Sequence, residues 1–122
     1  MIWVRMGSIL MFLAVALGAF GAHALRARLS SEMLAVFETG VRYHFYHALG
    51  LFVVAWSSES HPSSLVTVAG WAFLFGIVVF SGSLYILSTS GIRSWGAVTP
   101  AGGVAFLVGW ALLALTTFRW AS

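Results

Sequence analysis

The sequence of 122 residues contains no cysteine, no lysine and no aspartate, and only 7% of its residues are charged. The absence of cysteine excludes disulfide bonds and thiolate metal sites. Soluble domains carry about 25% charged residues, because a folded soluble chain needs polar side chains on its surface. Since 61% of the residues are hydrophobic, the composition predicts a membrane protein with a single transmembrane domain over residues 1–122.

The few charges are scattered along the chain. Six arginines against three glutamates give a net charge of +3, and no basic cluster indicates a nucleic-acid partner. The chain has only three acids, and Glu59 is expected on the opposite side of the membrane from His44 and His47, so no catalytic group of acids and histidines is predicted. The sequence Ser81-Gly82-Ser83 lacks the strand and turn of a nucleophile elbow. We therefore expect no enzymatic activity and no cofactor.

Long apolar runs dominate what is present, and each is interpreted as a membrane-spanning helix. The predicted spans are at about residues 4–23, 38–57, 65–88 and 100–119, with an amphipathic interfacial segment at about residues 31–40. The sequence Ser30-Ser31-Glu32 predicts a helix start with a serine N-cap. Thr99 and Pro100 predict the start of the last helix, with Thr99 as its N-cap and Arg119 and Trp120 closing it. The expected fold is all-α, a four-helix transmembrane bundle with short loops.

The first run has an alternative interpretation. Arg5, the apolar residues 9–20 and the sequence Ala22-His23-Ala24 also fit a secretory signal peptide followed by its cleavage site. We expect the segment to be retained as a span.

Small residues recur at helical spacing in three of the runs, where they would allow neighbouring helices to approach closely. The predicted packing residues are Ala14, Gly18 and Ala22 in the first run, Ala72 and Gly76 in the third, and Ala101, Ala105 and Gly109 in the fourth.

The stretch 38–51 brings several ionisable side chains directly into an apolar segment. After His47 only nine apolar residues follow, which cover roughly 14 Å of helix against a hydrocarbon core of about 30 Å. A spanning helix must therefore carry His44 and His47 into the membrane, where ionisable groups are costly and usually face protein or water. Glu38 and Arg42 are four residues apart in the favourable order and are predicted to form an ion pair.

His47 is the centre of the predicted site. In a bundle of four spans, the loops near residues 23–31 and 89–98 lie on the same side of the membrane and could converge on it. The candidate ligand-binding residues are His23, Tyr43, His47, Ser83 and Tyr85. Four interpretations stay open. They are a hydrogen-bond network between helices, a ligand or lipid site, a metal site, which would need His23 beside His44 and His47, and a haem site with a histidine as axial ligand, although nothing else in the chain indicates a haem crevice. We predict no metal.

Four blocks of sequence resemble a known family. They are residues 18–25 (GAFGAHAL), 43–49 (YHFYHAL), 80–85 (FSGSLY) and 99–110 (TPAGGVAFLVGW). In this order they resemble the small bacterial inner-membrane proteins of unknown function that include YgdD and YwdK and have eukaryotic relatives. The resemblance implies a four-helix membrane protein with no assigned activity. It also implies a histidine at positions 23 and 47, and often glutamine at the position of His44.

The distribution of arginines gives little information on the orientation of the chain in the membrane. Four arginines on the histidine side stand against two and the N-terminal amine on the other, and this difference does not orient the chain. Relatives often have a basic C-terminal tail, which implies cytoplasmic termini, but here that tail is reduced to Arg119.

Two hypotheses for function follow. The first is a protein that binds a small ligand or lipid in a polar pocket around His47 and His23. The second is a non-catalytic accessory or assembly subunit that packs into a larger membrane complex or a homo-oligomer. Both place the protein in the bacterial inner membrane, in contact with lipids and without nucleic acid.

Overall fold

Four long helices make up the part of the chain that the structure describes. The computed structural model describes the backbone of residues 1–120 and the side chains of residues 1–116; the side chains of Arg119 and Trp120, predicted to close the last span, lie outside them. The helices are α1 (Ile2–Leu25), α2 (Ser31–Ser60), α3 (Ser64–Ser90) and α4 (Thr99–Trp120), and a short 3₁₀ turn, Arg93–Ala97, precedes α4. Within the described part of the chain there is no strand, which confirms the all-α class.

Among the described residues, three helical segments are long and apolar enough to cross a membrane: Ile2–Leu25, Ser64–Ser90 and Arg93–Thr116. Helix α2 is not among them, although its 30 residues correspond to roughly 45 Å. The predicted interfacial segment 31–40 and the predicted second span are one uninterrupted helix, because α2 runs through both.

Of the two predicted helix N-caps, Ser30 and Thr99, the structure contains one. Ser30 is extended, and its side chain accepts a hydrogen bond from the backbone N–H of Met33 at 3.2 Å, so the predicted N-cap of α2 is confirmed. The prediction of Thr99 as the N-cap of α4 is wrong, because Thr99 is already helical. Its hydroxyl instead lies 2.6 Å from that of Ser83 on α3, where it joins two helices.

Helix α2 lies between α1 and α3, and α4 packs along α3. Glycines mark the closest approaches. A Cβ atom built at Gly18 of α1 would lie 3.0 Å from the Val41 side chain of α2, and one built at Gly109 of α4 would lie 2.5 Å from the Phe73 ring of α3. The distance at Gly109 leaves no space for a side chain, and a side chain at Gly18 would require Val41 to shift, so both glycines allow the helices to approach closely.

The predicted small-residue stripes lie partly on these contacts. Ala14 is fully buried, Gly18 faces α2, and Ala22 is half-buried. Gly76 is buried beside Phe106, whereas Ala72 is half-buried.

On α4 the predicted stripe of small residues differs from the observed contact row. Gly109 is buried, but Ala101 is exposed and Ala105 is only half-buried. The contact row instead begins at Gly102, where a Cβ atom would clash with the backbone of Phe80. One residue along a helix is a rotation of 100°, and this step separates the predicted row from the observed one.

Two π-helical turns flank α2 at the same level. One is Ala16–Gly21 in α1 and the other is Ile77–Ser81 in α3. The first places Gly18 against Val41, and in the second the Ser81 hydroxyl donates a hydrogen bond to the Gly40 carbonyl at 2.7 Å. A π turn inserts an extra residue and so rotates the side chains that follow it. The main core begins at the second of these turns, with Ile77, and also contains Trp3, Leu51, Val54, Val66, Ala69, Phe73, Phe106 and Leu113.

Candidate functional site

His47 lies on the inner face of α2 and is 4% exposed. The indole N–H of Trp110 on α4 reaches His47 Nε2 at 3.0 Å. An indole nitrogen can only donate, so Nε2 accepts and the imidazole proton lies on Nδ1. Nδ1 donates it to the Tyr43 carbonyl one turn earlier, at 2.8 Å. Both ring nitrogens are therefore engaged, and the neutral Nδ1–H tautomer is fixed by its partners.

Aromatic rings close the space around His47. The Phe106 ring is stacked on the imidazole, with centroids 3.5 Å apart and planes 7° apart. Phe73 meets it edge-on at 5.4 Å, and Trp110 packs against Phe73 at 4.7 Å. An imidazole held on two nitrogens and covered by rings leaves no free ring atom for a ligand. The arrangement joins α2 to α4.

His44 is 3% exposed and has different surroundings. Its Nδ1 lies 2.8 Å from the Tyr85 hydroxyl on α3. Among the described residues that hydroxyl has no other acceptor, so Tyr85 donates to Nδ1 and the His44 proton lies on Nε2. Nε2 is buried and has no hydrogen-bond partner in the described part of the chain, although the Leu10 carbonyl of α1 is near enough to act on the ring.

Gly40 makes room for the Tyr85 ring beside His44. A Cβ atom at Gly40 would lie 3.0 Å from the Tyr85 ring, and the same glycine offers its carbonyl to Ser81. The contacts of His44 and Gly40 thus join α2 to α3, one turn away from the contacts that join α2 to α4.

The five predicted ligand-binding residues do not form one pocket. His23 is exposed at the end of α1. Because Gly21 faces Phe37 and the two helices are antiparallel, His23 is separated from the level of His47 by about twelve residues, or roughly 18 Å along the helix. Ser83 bonds Thr99, Tyr85 bonds His44, and Tyr43 serves His47 through its carbonyl. Tyr43 and His47 share the contact with Trp110, Ser83 and Tyr85 belong to two other contacts, and His23 belongs to none of the three.

The predicted ion pair is also absent. Glu38 and Arg42 are both exposed, and no salt bridge joins them in the described part of the chain. The salt bridge present joins Arg93, in the turn before α4, to Glu32 at the start of α2, at 3.1 Å. Both partners are well exposed, so it contributes little to stability.

Trp110 and Phe106 were missed as partners of His47. Trp110 does carry a signal: it is a tryptophan in the middle of an apolar run, away from the span ends where such residues concentrate. An indole N–H at that depth needs an acceptor inside the protein, and His47 is a side chain that can supply one. As for metals, no group of three or more His, Cys, Asp or Glu side chains in the described chain could hold an ion.

Comparison with known proteins identifies the family of this chain. The family "Protein of unknown function (DUF423)" matches residues 17–103. The UPF0382 membrane protein YwdK of Bacillus subtilis is 48% identical over 120 residues, covering 98% of both chains. A UPF0382 membrane protein of Staphylococcus saprophyticus is 46% identical over 118 residues, covering 97% of this chain and 98% of its own. No solved structure matches. The chain therefore belongs to the YwdK-like family of bacterial membrane proteins, whose function is unknown.

Proposed function

We propose that this chain is a non-catalytic assembly subunit of the bacterial inner membrane, in which all four helices span the bilayer. The observation that carries the proposal is the division of polar groups on α2. On its inner face both ring nitrogens of His47 are engaged, one by Trp110 of α4 and the other by the Tyr43 carbonyl of α2 itself. On its outer face Glu38 and Arg42 are exposed. A chain of this kind acts through its outer surface.

The spanning of α2 is part of the proposal. Helix α2 lies between α1 and α3, both of which are apolar and long enough to cross a membrane. A helix flanked on both sides by spanning helices shares their depth. Its 30 residues exceed the roughly 20 that a bilayer requires.

Cysteine labelling tests the topology directly, because the chain contains no cysteine of its own. Ser31→Cys and Glu59→Cys place one thiol at each end of α2. In intact cells, a membrane-impermeant maleimide should label one variant and not the other. Equal labelling of both variants from outside would mean that α2 does not cross.

The ligand-binding alternative is less well supported. It would require free hydrogen-bonding atoms at His47, and both ring nitrogens are engaged. It would also require His23 nearby, and His23 lies on a different level of the bundle.

The assembly role is tested by purifying the tagged protein from native membranes in a mild detergent and measuring the intact mass of the released particle. We expect a particle heavier than one 13.1 kDa chain with its lipids. A particle that contains one chain only, at every detergent concentration that keeps it folded, would contradict an assembly role. A tightly retained small molecule would favour the pocket hypothesis instead.

A further inference from the structure

One stripe of exposed residues runs along α2, opposite its buried face. We call it the outer α2 face: Glu38, Arg42, Tyr46, Leu49 and Val53. Their spacing of three or four residues places them on one side of the helix. The part of this face nearer the N-terminus of α2, with Glu38 and Arg42, is charged, and the part nearer the C-terminus is apolar.

Arg42 lies well inside the depth of the bundle. Its neighbours Val41 and Phe45 contact Gly18 of α1, so Arg42 is level with Gly18. That glycine is seven residues before the end of α1 at Leu25, or roughly 10 Å along the helix. Among the described residues, the other arginines lie near helix ends or in loops: Arg5, Arg26, Arg28 and Arg93.

An exposed arginine at this depth requires compensation. Charged side chains within membrane spans are costly, and they usually face protein or water and pair with one another. Glu38 lies one turn above Arg42, but the two make no salt bridge with each other. The outer α2 face therefore carries one positive and one negative group, each available to another molecule.

We propose that the outer α2 face binds a second copy of this chain, with Glu38 of each copy paired to Arg42 of the other. This inference rests on the assembly role proposed above and names its partner. Two copies inserted in the same orientation are related by a twofold axis along the membrane normal, so their α2 helices run parallel. A twofold interface brings identical surfaces together and must be self-complementary, and a face with one charge of each sign meets that condition.

The geometry allows both ion pairs at once. Glu38 and Arg42 differ in height by four residues, or roughly 6 Å, and a long arginine side chain spans that difference. The guanidinium presents several N–H donors to a carboxylate. Below the charges, Tyr46, Leu49 and Val53 of each copy meet and complete the contact with apolar packing.

Charge exchange between two tagged chains is the central test. Glu38→Arg makes the outer face doubly positive, and Arg42→Glu makes it doubly negative. Each variant expressed alone should lose dimer at least tenfold, because like charges then face each other. Co-expressed with different tags, the two variants should co-purify at close to the wild-type level. Arg28→Glu changes the charge equally at a loop site and should leave the dimer unchanged.

A pair formed within one chain would respond differently. Each variant would have lost its internal pair, and mixing the two variants could not restore it. Failure of the mixed pair to co-purify, with both variants folded, would overturn the proposal.

Disulfide cross-linking maps the face without changing its charges. Leu49→Cys lies on the outer α2 face, and Leu107→Cys is a matched exposed leucine on α4, 70% exposed. On mild oxidation in membranes, Leu49→Cys should form a species of about twice the 13.1 kDa chain at least tenfold more than Leu107→Cys. Equal cross-linking at both positions would reflect random collision and would count against the interface.

The intact mass of the wild-type particle separates this proposal from the assembly role. Twice the chain mass supports the second copy. A particle with one copy of this chain and a different protein keeps the assembly role and overturns the second copy. A single chain without partners overturns both.

Discussion

His44 and His47 lie three residues apart on the same helix, and both are almost fully buried. His47 faces α4, where Trp110 donates to one nitrogen and the Tyr43 carbonyl accepts from the other. His44 contacts Tyr85 of α3 through one nitrogen, and its second nitrogen has no hydrogen-bond partner in the described chain. Two similar residues therefore have different roles, because different helices supply their partners.

The number of hydrogen bonds and the packing around the ring differ between these two buried histidines. Around His47, close helix packing and aromatic rings hold every atom of the ring. Around His44, one hydrogen bond to Tyr85 orients the ring, and the Nε2 atom has no hydrogen-bond partner among the described residues. Both histidines join helices, but His44, held by one hydrogen bond, should tolerate a wider range of replacements than His47.

The largest effect should come from breaking the packing on the His47 side. In Gly109→Ala the new methyl group would lie 2.5 Å from the Phe73 ring, which also contacts His47. Overpacking of this kind costs about 1–3 kcal/mol. We expect a clear fall in the thermal unfolding temperature in mild detergent. Gly82→Ala is the matched control, since a Cβ atom there meets nothing within 4 Å, and it should be at least as stable as the parent.

A smaller effect should separate the two histidines themselves. In His47→Gln the stacking on Phe106 is lost and the two hydrogen bonds must be made with a different geometry, at a cost of about 1–2 kcal/mol. In His44→Gln the amide oxygen can accept from Tyr85, and its NH₂ can take the place of the imidazole N–H, so the loss should be smaller. Equal losses of unfolding temperature in both variants would remove the distinction.

The contribution of a single hydrogen bond is smaller again. Trp110→Phe keeps an aromatic ring but removes the N–H that serves His47. Hydrogen bonds between membrane helices average about 0.6 kcal/mol, so the unfolding temperature should fall slightly. Trp71→Phe, at an exposed site on α3, controls for the change of ring size. If the two variants unfold at the same temperature, the bond to His47 makes no measurable contribution.

The tautomers of the two histidines can be compared without any change in stability. The hydrogen bonds require a proton on Nδ1 of His47 and on Nε2 of His44. Nitrogen NMR of the protein labelled at histidine should therefore show two buried rings in opposite neutral tautomers. Tyr85→Phe removes the hydroxyl that holds His44 and should release its tautomer while leaving that of His47 unchanged. Finding the same tautomer at both positions would contradict these assignments.

Much of the architecture follows from local sequence. Apolar runs, the shortage of charge and the serine at position 30 predict helices, their membrane class and the start of α2. These features depend on each residue and its near neighbours along the chain. The small residues predict close approach as well, and Ala14, Gly18, Gly76 and Gly109 lie at contacts with other side chains.

The rotation of each helix was decided by tertiary packing. Ala101, Gly102, Gly103 and Ala105 are all small, so the sequence alone offers several possible contact rows on α4. Packing selected the row through Gly102, where the backbone of Phe80 comes too close for a side chain, whereas a Cβ atom at Gly103 would meet only the Phe80 ring at 3.9 Å. Ala101 is exposed for the same reason.

The partners of the polar groups were decided in the same way. Composition and order along the chain predict a helical membrane protein with two histidines on its second helix. Only the tertiary structure decided that His47 meets Trp110, 63 residues away, and that Glu38 and Arg42 both lie on the outside. Each partner depends on the rotation and height of a second helix, and a rotation of 100° exchanges one residue on a contact face for its neighbour.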